Sequence, residues 1–184
     1  MKLGLAARIA IVATACSAAA IPVMALAGSG RIDHPRVLAV AGCTSSSTTT
    51  WLGLGNGGGT LGTTFYPVEF SNTGRVACSL FGYPTVFAVS GAGRQIGLPS
   101  VAHGRRQLVV LQPGQTAHVV LGILDAGVLS GCQPRNGAFL KVVVPGQITA
   151  TFIPSFTFTA CANKSVLRVD AVHPRAGIPG FTAP

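Results

Sequence analysis

The sequence predicts an all-β domain, built as a sandwich of short antiparallel strands. The 184 residues include 24 Gly and 12 Pro, which are common in turns and rare inside helices. Short runs rich in Val, Thr and Phe recur between these turn residues, as expected for strands. No segment repeats its apolar residues with the 3.6-residue period of a long amphipathic helix. A closed barrel is the alternative architecture.

The first 27 residues have the pattern of a secretory signal peptide. Lys2 and Arg8 precede a long uncharged apolar run, which ends with small residues at Ala25 and Ala27. This pattern predicts export and cleavage after Ala27. Two alternatives stay open: the apolar run is long enough to be retained as a membrane anchor, or the chain carries a lipid on Cys16. We expect membrane attachment only in these two cases.

Cleavage at this position changes the charge and the cysteine count. It removes two of the 13 Lys and Arg residues, so that 11 remain against 4 Asp and Glu and the formal net charge falls from +9 to +7. Four cysteines remain, and an even number in an exported chain predicts two disulfides, although the count alone permits three pairings. The cysteines do not have zinc-type spacing, so we expect no metal site. They are Cys43, Cys78, Cys132 and Cys161.

The remaining chain divides into a short leader (28–42), a β-sandwich domain (43–172) and an irregular tail (173–184). One turn of helix is expected within 125–131, and Pro-Gly pairs at 113–114 and 145–146 predict type II turns that reverse the chain between neighbouring strands. Asn72 and Gly74 are expected to supply positive φ angles at another turn. The eight or nine predicted strands include 48–54, 63–71, 76–80, 85–89, 107–112, 115–124, 138–144, 147–153 and 165–172.

Alternation along two of these strands predicts which side chains are buried. Tyr66, Val68 and Phe70 share one face, which we expect to be in the core, and Glu69 lies on the opposite, polar face. In the later strand the apolar residues again share one face. His118 therefore belongs to the opposite face, and we expect it to be exposed to solvent.

The acidic residues do not form a recognisable catalytic pattern. Acid–base chemistry requires paired carboxylates, but the chain has four acids in all: Asp33, Glu69, Asp125 and Asp170. Asp170 shares a strand face with Arg168, which predicts a solvated ion pair. The sequence also lacks the G-x-S-x-G motif of many hydrolases.

The histidines and the glycine-rich segment do not indicate a cofactor site. No two of the four histidines have metal-ligand spacing; they are His34, His103, His118 and His173. The segment 53–59 lacks the Lys and the following helix of a phosphate-binding loop, so we interpret it as a flexible loop. We therefore expect no catalytic, metal or cofactor-binding residues.

The basic residues are scattered along the chain, and only Arg105 and Arg106 are adjacent. Aromatic residues are not interleaved with them, so nucleic-acid binding is not expected. A weak attraction to an anionic polymer of the cell envelope explains the charge more simply. Another envelope protein is the second candidate partner.

One motif resembles a known family. Asn72 and Gly74 lie in a turn, and a C-x-L-x-G-Y-P pattern follows; its fixed residues are Cys78, Leu80, Gly82, Tyr83 and Pro84. In this the sequence resembles a family of secreted actinobacterial proteins known as domain-of-unknown-function family 4232. The resemblance runs from Cys43 to about Val172.

The resemblance implies an immunoglobulin-like β-sandwich exported to the cell envelope or beyond. It also implies that Cys43 pairs with Cys78 and Cys132 with Cys161, and it implies no activity. Tyr83 and Pro84 are interpreted as structural residues.

The sequence as a whole therefore predicts a secreted or cell-envelope binding module without catalytic activity, with loops at one end of the sandwich as its contact surface. A secreted hydrolase with an unrecognised site and a purely structural envelope component are the alternatives.

Overall fold

The structure, a computed structural model, describes residues 39–53 and 58–178. The predicted signal peptide, most of the predicted leader and the end of the predicted tail lie outside the described residues. Within the described residues, no helix is both long and apolar enough to cross a membrane.

The regular secondary structure of the described residues consists almost entirely of β-strands, as predicted. Nine strands have three or more residues, four have two, and a single 3-10 turn (η1, Ala126–Val128) lies within the segment predicted to be helical. The strands are β1 (Thr48–Leu52), β2 (Gly59–Thr60), β3 (Thr63–Asn72), β4 (Cys78–Phe81), β5 (Thr85–Val89), β6 (Gln95–Ile96), β7 (Val101–Ala102), β8 (Leu108–Leu111), β9 (Thr116–Leu124), β10 (Pro134–Val143), β11 (Ala150–Cys161), β12 (Leu167–Val169) and β13 (His173–Pro174).

The strands form two main sheets and one small one, in a sandwich-like arrangement. The larger sheet has the order β1-β3-β9-β12-β7, with β2 beside β3 and β13 beside β9. The second sheet has the order β11-β10-β5-β6, and β4 pairs with β8. The pairing is antiparallel, as predicted, except that the short strands β12 and β7 run parallel.

Apolar side chains from both main sheets form one core. Val68 and Phe70 on β3 are fully buried, which confirms the predicted inner face, whereas Tyr66 is partly exposed. The larger sheet also contributes Val119 and Leu121. From the second sheet come Val86, Leu140 and Val142. Removing these side chains from water is the main favourable contribution to folding.

Two disulfides cross-link the domain, in the pairing that the resemblance implied. Cys43 is bonded to Cys78 at the start of β4, and Cys132 is bonded to Cys161 at the end of β11. The bonded residues are 35 and 29 positions apart. In the chain-entropy model, each disulfide then stabilises the fold by about 3.5–4 kcal/mol.

The two Pro-Gly pairs form similar turns with different consequences. Gly114 and Gly146 both have φ of 80°, and in each turn the backbone N–H of the following Gln donates to a carbonyl three residues earlier, at 2.9 Å. The second turn closes a hairpin between β10 and β11. The first instead leads from β8 in the small sheet to β9 in the larger one, so the hairpin-like reversal predicted there is wrong.

Three other local predictions need correction. The predicted irregular tail begins with β13, whose residues His173 and Pro174 pair with β9. The predicted leader joins the fold at its end, where Gly42 forms a bridge with Ser79. The turn at residues 72–74 does not use positive φ, because the side chain of Asn72 holds it instead.

Gly97 offers a test of the packing between the end of β6 and the chain after β11. Its φ is +64°, and a Cβ there would lie 2.1 Å from the carbonyl oxygen of Cys161 and 2.6 Å from that of Lys164. Because both oxygens belong to the backbone, Gly97→Ala should destabilise the fold by about 3 kcal/mol or more. Urea unfolding followed by the fluorescence of the single tryptophan, Trp51, measures this loss.

Gly91→Ala is the matched control, because Gly91 has no neighbour within 4 Å of the added Cβ and its φ is not positive. It should change stability by less than about 0.5 kcal/mol. Equal unfolding midpoints for the two variants would contradict this account of Gly97.

Candidate functional site

His118 is buried, contrary to the prediction that it is exposed. The segment 173–178, called here the C-terminal segment, lies over the outer face of β9 and leaves His118 only 1% exposed. Its ring Nδ1 lies 2.7 Å from the carbonyl oxygen of Arg175, and its ring stacks on that of His173 with 5.5 Å between centroids. His118 does lie on the face of β9 opposite the core, as the alternation predicts, but the C-terminal segment covers that face.

Glu69 is buried beneath the same segment, and its predicted polar face is likewise not exposed. It pairs with His118 across β3 and β9 and is 4% exposed. Its Oε1 accepts a hydrogen bond of 2.7 Å from the backbone N–H of Gly177, whereas Oε2 has no partner among the described residues. Burial raises the pKa of Glu69, and this effect exceeds the lowering by the Gly177 hydrogen bond and by positive charge on His118.

Asp170 does not form the predicted ion pair with Arg168. Its Oδ1 accepts a hydrogen bond of 2.6 Å from the backbone N–H of Val120, and its Oδ2 lies 2.9 Å from Nε2 of His173. Arg168 is exposed. The prediction failed because the carboxylate of Asp170 contacts a backbone N–H of β9 and a histidine of the C-terminal segment instead, and neither contact is visible in the alternation of one strand.

Glu69, His118, Asp170 and His173 therefore form a polar cluster that the sequence did not predict. At least one oxygen of each carboxylate accepts from a backbone N–H, and His118 contacts a backbone carbonyl. These contacts fasten the C-terminal segment to β9 and β3. Within the described residues, no three His, Cys, Asp or Glu side chains are arranged to hold a metal ion.

The other candidate residues lie apart from this cluster. His103 and Asp125 are exposed, and His34 and Asp33 lie outside the described residues. The described parts of the glycine-rich segment flank β1 and β2 and do not precede a helix.

The family-motif residues occupy structural positions. Asn72 is fully buried: its Nδ2 donates to the carbonyl oxygens of Val76 and Leu111, each at 2.9 Å, and its Oδ1 accepts from the N–H of Gly74. Cys78 forms a disulfide and Leu80 is in the core. Asn72 thus joins β3, the following turn and β8.

The last three motif residues shape the corner between β4 and β5. Gly82 has φ of +94°, which explains why a residue without Cβ stands there. Tyr83 donates from its hydroxyl to the carbonyl oxygen of Gly104 at 2.7 Å, and the guanidinium of Arg106 lies 5.4 Å from its ring centroid. Pro84 is buried.

Exposed basic residues line a groove at one end of the second sheet. Arg94 and Arg135 border this groove, whose volume is about 340 Å³. Ser90, Gln95 and Asn136 supply further polar side chains, and no carboxylate lines it. Arg94 belongs to the β5–β6 turn and Arg135 to β10. Because the two residues are far apart in the sequence, the sequence did not predict that they line the same groove.

A second recess, called here the aromatic cleft, lies between the larger sheet and β11. Its volume is about 530 Å³, and it is lined by Tyr66, Phe156 and Phe158 together with Asp125 and several threonines. The alternating Phe156 and Phe158 would have indicated part of it, but the predicted strand there ended at residue 153.

A protein-family model described as "Domain of unknown function (DUF4232)" matches residues 43–173. The match includes the motif from Asn72 to Pro84, both disulfides and the first residue of the C-terminal segment. No curated protein and no solved structure gives a significant match.

Replacing Glu69 tests the charge state of the polar cluster. Because its pKa is raised above the ordinary value of 4.5, the folded state binds this proton more tightly than the unfolded state does. Its contribution to stability is therefore fully present below about pH 4.5 and is lost as the pH rises through the raised pKa. In Glu69→Gln the amide oxygen still accepts from Gly177, but the group no longer titrates.

We expect the stability of the original protein, relative to Glu69→Gln, to fall between pH 4 and neutral pH. Urea unfolding of both proteins across this range measures the difference. A difference that stays constant with pH would show that Glu69 does not titrate differently in the two states.

Proposed function

The chain belongs to the DUF4232 family, whose description assigns no activity, and we propose that it is a secreted or cell-envelope module that binds an anionic polymer without catalysing a reaction. The export and the actinobacterial origin that the resemblance implies belong to this proposal. The observation that carries it is that the Lys and Arg side chains of the described residues do not form ion pairs with the described carboxylates.

None of the nine Lys and Arg side chains in the described residues lies within 4.0 Å of a carboxylate of those same residues; the one ion pair found among them joins His173 and Asp170. Two of the three described carboxylates, Glu69 and Asp170, instead contact backbone N–H groups, and Asp170 also contacts His173. The positive charge is therefore not neutralised locally and creates a field that attracts polyanions. The cations are Arg75, Arg94, Arg105, Arg106, Arg135, Lys141, Lys164, Arg168 and Arg175.

The groove between Arg94 and Arg135 is the best-defined place for such contacts. A guanidinium presents several N–H donors in one plane, which suits phosphate and carboxylate oxygens. Both arginines are exposed, and Gln95 and Asn136 add neutral donors beside them. A polymer segment seated there would meet two charges and at least two amide groups.

The geometry of the polar cluster supports binding over hydrolysis. A hydrolytic site needs a base that substrate reaches, but His118 and Glu69 are almost fully covered and hold backbone groups. His173 is 40% exposed, but one of its ring nitrogens contacts Asp170 and the other contacts Gln107. The cluster thus serves to attach the C-terminal segment. The disulfides support export, since such bonds persist in oxidising compartments.

The double variant Arg94→Gln/Arg135→Gln tests the groove. Loss of two contacts between exposed charges should weaken binding to inorganic polyphosphate about three- to tenfold, and the dependence of affinity on salt should become shallower. Titration at several salt concentrations, with uncharged dextran as the inactive polymer, measures both effects.

The control is Arg75→Gln/Arg168→Gln, which removes the same charge from exposed positions outside the groove. It should weaken binding less than the groove variant does. Equal losses would show that net charge alone attracts the polymer, and binding unaffected by either variant would overturn the proposal.

The mass of the exported protein tests its localisation and processing. We expect a chain that begins at Gly28 and is four hydrogens lighter than its reduced form, because each of the two disulfides removes two. Intact-mass spectrometry of culture medium, with and without reductant, measures both features. An unprocessed chain, or one carrying a lipid, would contradict secretion as a free protein.

A further inference from the structure

The aromatic cleft combines aromatic rings with an exposed carboxylate, and we infer that it binds an organic ammonium group. The occupant that its chemistry fits is a small alkylammonium compound. This inference is independent of the basic groove, which lies elsewhere on the surface and has the opposite charge.

Three elements build the cleft. The β2–β3 turn forms one wall, the end of β9 with η1 forms the second, and β11 forms the third. The register between β10 and β11 shifts between Gly137 and Phe139, where residues 155–157 face a single residue of β10. This bulge gives Phe156 an outward position, and the side chain is 39% exposed.

The aromatic residues form a connected surface. The ring of Phe156 lies 4.5 Å from that of Tyr66 and 6.1 Å from that of Phe158, between centroids, with interplanar angles of 35° and 62°. Rings at such angles present faces in more than one direction. The faces of aromatic rings attract cations because their π-systems carry negative charge density.

Asp125 gives the cleft its charge. It is exposed, and its Oδ1 accepts a hydrogen bond of 2.9 Å from the N–H of Gly127, which fixes the carboxylate at the start of η1. No Lys, Arg or His lines the cleft, although nine Lys and Arg residues lie in the described part of the chain. Within the part of the chain that the structure describes, Asp125 therefore has no basic partner, and its second oxygen can pair with a ligand.

These features favour an organic cation over other ligands. One carboxylate does not satisfy a metal ion, and no metal-holding group of side chains occurs among the described residues. An anion would be repelled by Asp125. A ligand with a positive charge and apolar substituents meets both the carboxylate and the rings, and the volume of about 530 Å³ accommodates a small molecule.

Choline is a suitable probe, and 3,3-dimethylbutan-1-ol is its uncharged counterpart of similar shape. Titration of the purified protein with each compound, followed by NMR at constant ionic strength, should show saturable shifts of the Tyr66 and Phe156 ring signals with choline. The uncharged alcohol should bind at least about threefold more weakly, because it lacks the attraction to the rings and to the carboxylate.

Two variants separate the two contributions. Asp125→Asn keeps an oxygen that accepts from Gly127 and removes the charge, and should weaken choline binding about two- to fivefold. Phe156→Leu keeps an apolar side chain and removes a ring, and should weaken it about three- to tenfold.

The matched control is Phe152→Leu, since Phe152 lies on the same strand, is 55% exposed and does not line the cleft. It should leave choline binding unchanged. Equal binding of choline and the alcohol would show an apolar pocket without preference for charge and would overturn the inference. Binding that Asp125→Asn and Phe156→Leu leave unchanged would place the cation elsewhere and would also overturn it.

Discussion

The antiparallel pairing of β3 with β9 is the constraint on which the rest of the domain depends. Nine consecutive residue pairs, from Thr63 opposite Leu124 to Ser71 opposite Thr116, fix which side chains point to each face. The inner face carries Val68, Phe70 and Val119 into the core. The same register places Glu69 beside His118 on the outer face, where a carboxylate and an imidazole would otherwise meet solvent. The C-terminal segment covers that face, and its backbone contacts one oxygen of Glu69 and one ring nitrogen of His118.

The sequence was sufficient to predict the inner face of β3, but it did not predict that the C-terminal segment covers the outer face. Alternation is a local property, so Val68 and Phe70 could be identified as core residues from their own strand. The burial of Glu69 depends on Gly177, which is 108 positions away, and no local pattern encodes such a contact. The first Pro-Gly turn shows the same limit: its conformation was predicted, but the partners of its strands depend on the sheets. The disulfide pairing followed from the family resemblance and not from the cysteine count.

The candidate sites were less predictable than the fold for a related reason. The basic groove joins a turn after β5 with the start of β10, and the aromatic cleft joins β3, β9 and β11. Each site therefore arises only when separate elements come together. The acids illustrate how position decides function: Glu69 and Asp170 have similar chemistry to Asp125, but they hold the C-terminal segment, whereas Asp125 stays accessible because it stands at the beginning of an exposed turn.

The two sites should differ in their response to salt, even though both use charge. In the described residues, nine Lys and Arg residues face three acids, so a long polyanion gains from cations spread over distances beyond the groove. Such long-range attraction is screened over about 8 Å at physiological ionic strength, and polymer binding should weaken steeply as salt is added. An ammonium ion in the cleft contacts Asp125 and the rings directly, while the distant cations repel it. Salt screens both this repulsion and part of the attraction. Because the two changes have opposite effects on affinity, they partly cancel. The affinity of the cleft should therefore depend much less on salt than that of the groove, which distinguishes two local sites from one nonspecific charged surface.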